Sequence, residues 1–171
     1  MALNFKRILC PVDLSSFSLE AIKLSVRITE NSIGTLYLLH VIDNPFDELY
    51  MTSITQADPV SIELYKSEPL RRSKILEATK RHSQILLKQF CHNWVETLPK
   101  VRYIVETGNP FEKILDVAET RRIDLIVLAT HGRTGFKRLI IGNVAEKVVR
   151  HASCPVLTVK PQTNSRKPKK Q

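Results

Sequence analysis

The chain has 171 residues, which is long enough for one domain with a substantial core, and its 43% apolar and 25% charged content is ordinary for a soluble protein. No apolar run approaches the roughly 18 residues of a membrane span, and the amino terminus lacks a signal-peptide pattern, so we expect a cytoplasmic protein. The three cysteines, Cys10, Cys91 and Cys154, have no zinc-type spacing. We therefore expect buried, reduced thiols and no metal centre.

The net charge of +9, from 26 basic and 17 acidic residues, is unevenly distributed. Residues 161–171 include Arg166, Lys167, Lys169 and Lys170 and no acid, which predicts a disordered basic tail. A basic tail can contact nucleic acid or an anionic membrane. This one has no aromatic residue for base stacking and no amphipathic period, so we expect neither nucleic acid nor a membrane as a partner.

The first third of the chain predicts a strand, a helix and a strand. Residues 5–11 form a short apolar strand that ends at Pro11. Ser15 or Ser16 is expected to cap a helix that runs to about Glu30, with a stop signal at 31–34. Its predicted buried stripe is Leu19, Ile22, Val26 and Ile28. Residues 35–42 are continuously apolar, as in a central parallel strand covered on both faces.

Residues 43–68 form a variable insert with two prolines and no sustained period. So long a connection in a compact domain is usually a lid, a binding loop or a mobile segment. The pattern does not choose between folding over a ligand, packing on a partner and partial disorder.

A long helix is predicted for residues 69–91, followed by a strand over 100–106. Helical spacing places these apolar residues on the buried face of the helix: Leu70, Ile75, Ala78, Ile85, Leu86 and Phe90. Its basic outer face indicates solvation. In the strand, one face carries Val101, Tyr103 and Val105.

The last part of the chain predicts two more helices and two more strands. Asn109 as N-cap, Pro110 at the first position and Glu112 at the third begin a helix that runs to about Thr120. An apolar strand follows at 123–129, then a helix at 143–151 and a strand at 155–159. Three valines of the last helix are expected to face inward, namely Val144, Val148 and Val149.

This alternation of strands and helices predicts an α/β fold with a five-stranded parallel sheet and helices on both faces, a Rossmann-like architecture. Such sheets bind ligands at the carboxyl ends of their strands. Asp13 follows the first strand, where its carboxylate either accepts hydrogen bonds from a ligand in this crevice or starts a turn. His40 and His131 have no neighbouring acid or nucleophile in the sequence, so we interpret both as structural and not as catalytic bases.

The loop between the fourth strand and the last helix has the composition of a phosphate site. It contains Gly132 and the basic residues Arg133, Lys137 and Arg138, and it ends at Gly142 and Asn143, where a helix begins. A helix N-terminus presents unpaired N–H groups and partial positive charge, and glycine permits close approach of the backbone. We expect Arg133 to contact phosphate.

The residue pattern Ala-x2-Gly-x9-Gly-Asn from Ala129 to Asn143, with the segments CPVDLS, LLHVID, ATHGRTG and GNVAEKVVRHASCPVLTVK, resembles the universal stress protein (UspA-like) family over about residues 4–160. It is closest to the nucleotide-binding type, whose members carry Gly-x2-Gly-x9-Gly followed by Ser or Thr. Ala129 and Asn143 depart from that pattern. The resemblance implies an adenine nucleotide alpha hydrolase-like domain over residues 1–160, and often a homodimer formed through the last strand.

The resemblance also implies a ligand and a set of contacts. The expected ligand is ATP, or AMP or ADP, with Mg²⁺ possible beside ATP, and the protein would be a stress-response regulator with an unidentified protein partner. Asp13 would contact the nucleotide near ribose and adenine, and the backbone of Val41 would contact the adenine edge. The complete expected site is Pro11, Asp13, Val41, Ala129, Thr130, Gly132, Arg133, Gly142, Asn143 and Val144.

Catalysis is a separate question. The chain has no Walker lysine motif and no evident second acid for Mg²⁺, so at most a slow ATPase is expected. An adenylate-transfer enzyme would need a histidine pair or a lysine signature, which is missing. The alternative to a nucleotide-dependent regulator is a dimeric interaction protein of the same fold that binds no nucleotide.

Overall fold

Strands and helices alternate along the chain in the computed structural model, which describes residues 5–43, 69–130 and 142–160. The strands are β1 (Arg7–Pro11), β2 (Thr35–Ile42), β3 (Val101–Thr107), β4 (Leu125–Ala129) and β5 (Val156–Val159). The helices are α1 (Ser18–Ser32), α2 (Pro69–Val95), α3 (Pro110–Thr120) and α4 (Asn143–His151). Most of the predicted insert and the whole basic tail lie outside the described residues.

The five strands form one parallel sheet in the order β3-β2-β1-β4-β5, which confirms the predicted architecture. The central strand β1 pairs with β2 on one side, where Ile8 lies opposite Leu36, and with β4 on the other, where Ile8 lies opposite Leu125. Its residues Ile8, Leu9 and Cys10 are fully buried because helices cover both faces of the sheet.

Two hydrophobic cores lie on opposite faces of the sheet. The first core joins the sheet to α1 and α2, and the second joins it to α3 and α4. Alternate residues of β2 divide between them, with Leu36 and Leu38 in the first core and Leu39 in the second. Cys10 and Cys91 are buried in the first core, which confirms the expectation for these two thiols, while Cys154 is only partly buried.

The predicted cap of α1 is wrong. The helix begins at Ser18, and Phe17 at the N-cap position makes no side-chain capping hydrogen bond. The hydroxyl of Ser15 instead donates a hydrogen bond to the Asp13 carboxylate, at 2.6 Å from Oδ1. At the other end the helix stops at Ile33 in a left-handed conformation, with φ of 52°. Gly34 then passes so close to β1 that a Cβ atom would lie 2.7 Å from the Lys6 carbonyl oxygen.

The predicted buried stripe of α2 is also wrong. Ile85 is 54% exposed and Ala78 is exposed, whereas Ile75, Leu86 and Phe90 are half-buried. The side chain of Leu70 lies outside the described residues. The buried face instead follows every fourth residue: Thr79, Ser83, Leu87, Cys91 and Val95. Two hydroxyl residues begin this face, so a search for apolar periodicity shifts the stripe to the wrong side of the helix.

Helices α3 and α4 begin where the sequence predicts, but α4 buries other residues. Asn109 is the N-cap of α3, and its side-chain oxygen accepts a hydrogen bond from Phe111 N–H at 3.0 Å. In α4, Val148 is buried as predicted, while Val144 and Val149 are 37% and 47% exposed. The inward face of this short helix holds only Ala145 and Val148, so the contact with the second core is too narrow for all three valines.

Candidate functional site

The order of the strands creates a switch point between β1 and β4. Chain connections leave β1 toward β2 on one side and reach β4 from α3 on the other, so a crevice opens at the carboxyl edge between the two strands. Asp13 follows the end of β1, and Thr130 follows the end of β4. The predicted residues Pro11 and Ala129 are the last residues of these two strands.

Asp13 is held in place by the turn that follows it. Its Oδ1 accepts hydrogen bonds from Ser15 N–H at 3.0 Å, from the Ser15 hydroxyl at 2.6 Å and from the Ser18 hydroxyl. Its own N–H donates to Ser18 Oγ at 3.2 Å. Leu14 adopts a left-handed conformation, with φ of 61°, which turns the chain between Asp13 and the serines. The role of Asp13 in the turn is therefore real, and the same bonds fix its carboxylate at the crevice.

The backbone groups of Val41, near the carboxyl end of β2, face the β1 side of the strand. Alternate residues of a strand turn their N–H and C=O groups to opposite neighbours. The Leu39 carbonyl accepts from Val12 N–H at 2.7 Å on the β1 side, and the Ile42 carbonyl accepts from Gly108 N–H at 3.0 Å on the β3 side. The backbone groups of Val41 therefore face the β1 side, beyond Pro11, the last residue of β1 that pairs with β2.

Gly142 fixes the start of α4 to the end of β4. Its N–H donates to the Thr130 carbonyl oxygen at 2.8 Å, and Thr130 donates its N–H to Val159 at 3.0 Å. A Cβ atom on Gly142 would lie 3.2 Å from the Thr130 carbonyl oxygen, so the approach is close. The first backbone bond of α4 runs from Glu146 N–H to Gly142, which leaves the N–H groups of residues 143–145 without a partner inside the helix.

The N-cap of α4 is Gly142, in an extended conformation, and not Asn143. Asn143 is the first helical residue, it is exposed, and the helix has no side-chain cap. Asn143 therefore does not cap α4, because Gly142 already occupies the N-cap position beside Thr130. Val144 is partly exposed on the next position of the helix.

Eight of the ten predicted site residues are described, and all lie at the carboxyl edge of the sheet. They come from four segments: the end of β1, the end of β2, the end of β4 and the start of α4. The other two, Gly132 and Arg133, lie outside the described residues, as do His131, Lys137 and Arg138.

Three further residues contribute to this edge, and the sequence gives only partial signals for them. Ser15 and Ser18 donate hydrogen bonds to the Asp13 carboxylate. The polar run that follows Asp13 in the sequence is a partial signal for these contacts. His40 is 6% exposed, and its ring Nδ1 lies 2.8 Å from the Val12 carbonyl oxygen, which confirms that it is a buried structural histidine. No sequence signal identifies a main-chain partner so far away in the chain.

Two classes of site are absent from the described parts of the chain. Across residues 5–43, 69–130 and 142–160, no three His, Cys, Asp or Glu side chains are grouped so that they could hold a metal ion. None of the helices within these ranges combines the length and apolarity that a membrane crossing requires.

Comparison with known proteins agrees with this architecture. A relative from Methanocaldococcus jannaschii, the universal stress protein MJ0531, is 34% identical over 168 residues, which cover 98% of this chain and 85% of the relative. The solved structure of MJ0577 from the same organism superposes with a TM-score of 0.69 and 26% identity, covering 94% of this chain and 99% of that one. A universal stress protein family structure from Arabidopsis thaliana, determined with AMP bound, shares the fold at a TM-score of 0.54 and 20% identity, covering 91% and 92% of the two chains.

The family model described as the universal stress protein family matches residues 4–160, nearly the whole chain. The sheet order, the switch-point residues and this match lead to one assignment. The chain belongs to the universal stress protein family.

Proposed function

We propose that this protein binds ATP, or AMP or ADP, in the crevice between β1 and β4 and acts as a cytoplasmic, nucleotide-dependent regulator or interaction module in the stress response. The observation that carries the proposal is the convergence of three features at one edge. These are the fixed carboxylate of Asp13, the backbone of Val41 facing past β1, and the start of α4 joined to Thr130 by Gly142.

Adenosine recognition uses the β1 and β2 side of the crevice. The backbone N–H and C=O of Val41 form hydrogen bonds with the adenine edge, and the Asp13 carboxylate accepts from the ribose hydroxyls. Because Ser15 and Ser18 already orient that carboxylate, little side-chain entropy is lost when a nucleotide binds. Pro11 and Ala129, at the ends of β1 and β4, line the crevice. The extra methyl group of Ala129 narrows the part of the crevice that would hold the ribose.

Phosphate recognition uses the start of α4. The N–H groups of Asn143 and Val144 and the positive end of the helix attract the phosphates, and the exposed Asn143 amide donates to a phosphate oxygen. Thr130 closes the base of this region, where it is 3% exposed. Gly132 and Arg133 add backbone and guanidinium donors from the loop. Mg²⁺ enters only as a companion of ATP, held mainly by the phosphates, and any ATP hydrolysis is slow.

We also propose a homodimer formed through β5. This strand lies at an edge of the described sheet, and an edge strand presents unpaired backbone groups to another chain. Leu157 on β5 is 38% exposed, and Val149 on the neighbouring α4 is 47% exposed, so apolar surface accompanies the open edge. If ATP did not bind in the crevice, this exposed apolar edge would favour the second candidate function, a dimeric interaction protein without nucleotide.

The substitution Leu157→Asp tests the dimer. It is expected to convert the dimer to a monomer, as measured by light scattering.

The test of nucleotide binding starts with the purified protein. Denaturing the purified protein should release an adenine nucleotide that mass spectrometry detects, or added ATP should raise the melting temperature by several degrees. Asp13→Asn should weaken ATP binding by roughly tenfold or more, because it removes the charge while its amide oxygen can still serve the Ser15 and Ser18 bonds. Asp116→Asn, at an exposed position of α3, is the matched control and should bind normally. A wild-type titration that stays flat at millimolar ATP would exclude the proposed function.

A further inference from the structure

His40 is buried at the crevice edge, and the nucleotide contacts above make no use of it. It lies on β2 with 6% exposure, and its ring Nδ1 is 2.8 Å from the carbonyl oxygen of Val12. Val12 also donates its N–H to the carbonyl of Leu39 at 2.7 Å. Both backbone groups of Val12 are therefore bound by consecutive residues of β2.

This double attachment lies at the point where β1 stops being a strand. Pairing between β1 and β2 ends at Pro11, and Leu14 has already turned into a left-handed conformation. Between Pro11 and Leu14, Val12 and Asp13 are held by individual hydrogen bonds and not by a regular strand ladder. The Val12 carbonyl belongs to the peptide group whose N–H is that of Asp13. Holding this carbonyl fixes the plane of the peptide from which the Asp13 side chain projects.

The chemistry of the contact assigns the proton. A carbonyl oxygen can only accept a hydrogen bond, so the ring nitrogen facing it must carry the hydrogen. The ring therefore acts as a donor at Nδ1. The same ring lies on the face of β2 shared with Leu36 and Leu38, which pack in the first core against α1, the helix that also supplies Ser18 to Asp13.

We propose that His40 is a positioning residue for the nucleotide site: its Nδ1–H holds the Val12–Asp13 peptide so that the Asp13 carboxylate faces the ribose. This inference rests on the proposed function and deepens it. His40 itself touches no nucleotide. A histidine that only fills the core would affect stability, whereas a positioning histidine affects ATP affinity beyond any loss of stability.

Three substitutions separate these roles. In His40→Asn the side-chain amide nitrogen can take the place of Nδ1, in His40→Gln it reaches toward the place of Nε2, and His40→Leu has no donor. We expect ATP affinity to fall by about tenfold in His40→Leu and in His40→Gln, the value of one lost hydrogen bond in a fixed site, and by less than about threefold in His40→Asn. Calorimetric titration with ATP measures all three.

A control on the same strand corrects for stability. Leu36→Val removes buried volume near the opposite end of β2 and should lower the melting temperature without changing ATP affinity. The positioning role is overturned if the His40 variants lose no more ATP affinity than Leu36→Val does for the same fall in melting temperature. If His40→Leu fails to fold, the comparison of Asn with Gln decides, and equal affinities would overturn the proposal.

Nitrogen-15 spectroscopy of the nucleotide-free protein gives an independent readout. The ring of His40 should show a proton on Nδ1, and a ring without one would overturn the assignment whatever the affinities. A wild-type protein that binds no ATP removes the proposed function and this inference together. If the wild-type protein binds ATP and His40→Leu binds it equally tightly, only the proposed role of His40 is overturned.

Discussion

Gly142 donates its backbone N–H to the Thr130 carbonyl oxygen at 2.8 Å, which joins the start of α4 directly to the end of β4. The two residues that flank positions 131–141 are thereby joined. Because this contact is main chain to main chain, it does not depend on which side chains occupy the loop. The two elements that would face the phosphates are held together before any ligand arrives, which lowers the entropy cost of binding.

Substituting Gly142 should affect ligand binding more than folding. Its φ of −60° suits any residue, so the cost comes only from the side chain, whose Cβ would lie 3.2 Å from the Thr130 carbonyl oxygen. We expect Gly142→Ala to weaken ATP binding several-fold and Gly142→Leu to abolish the ATP-dependent rise in melting temperature. Thermal shift measurements across an ATP series check both.

Gly34→Ala is the matched control for Gly142. Its Cβ would lie 2.7 Å from the Lys6 carbonyl oxygen at the opposite edge of the sheet, so it should lower stability while leaving the response to ATP intact. A Gly142→Leu protein that responds to ATP like the wild type would show that the nucleotide lies elsewhere on the molecule.

The two helix-start asparagines, Asn109 and Asn143, should differ in their effect on stability. Asn109 caps α3, and its side-chain oxygen accepts from Phe111 N–H at 3.0 Å, so Asn109→Ala should lower the free energy of unfolding by about 1 kcal/mol. Asn143 lies one position inside α4 and makes no capping bond, so Asn143→Ala should change it by only a few tenths of a kcal/mol. Urea unfolding measures both values, and equal losses would contradict the assigned caps.

The same pair of asparagines shows what the sequence can and cannot predict. Pro110 after Asn109 fixes the register of α3, so the sequence identifies Asn109 as its N-cap. At α4, Gly142 before Asn143 can also be the N-cap, and only its contact with Thr130 shows which residue takes that position. The five-stranded parallel sheet with helices on both faces followed from the alternation of strand and helix patterns. The buried face of α2 did not, because Thr79 and Ser83 begin it. The backbone direction of Val41 and the bond from His40 to Val12 depend on register between distant segments, which no local pattern encodes.

The three cysteines should differ sharply in reactivity. Burial raises the pKa of Cys10 to about 12, and burial together with the neighbouring Cys10 raises that of Cys91 to about 12. The reactive thiolate is therefore scarce at pH 8 for both residues. Burial also raises the pKa of Cys154, but this residue is only partly buried. Iodoacetamide at pH 8 should modify Cys154 first in the native protein.

Peptide mass spectrometry of the alkylated protein identifies the modified residue. Repeating the reaction in denaturant should expose all three thiols with similar rates, which serves as the control for intrinsic reactivity. Alkylation of Cys10 or Cys91 in the folded protein, at a rate near that of Cys154, would mean that the first core opens far more often than its burial indicates.

The ion pair between Asp124 and Arg7 should make stability depend on pH in a defined direction. Asp124 accepts hydrogen bonds from the backbone N–H groups of Lys6 and Arg7, at 3.1 and 2.8 Å, and from the Arg7 guanidinium at 3.1 Å. Burial alone would raise the pKa of Asp124, but the hydrogen bonds and charge of Arg7 lower it below the ordinary value of 3.8. A carboxylate with a lowered pKa contributes stability that is complete above the unfolded pKa and is lost as the pH falls through the folded pKa.

Asp124→Asn should therefore destabilise the protein at pH 7 and much less at pH 3. Both side chains of the pair are partly exposed, at 41% for Arg7 and 30% for Asp124, so we expect a loss of only about 1 kcal/mol at pH 7. Urea unfolding of both proteins at the two pH values measures the difference. Asp116→Asn, which removes an exposed partner of Lys113 on α3, should cost little at either pH. Because neutral Asn keeps the shape of the side chain, an equal loss at pH 3 and pH 7 would mean that packing, and not the charge of Asp124, is responsible.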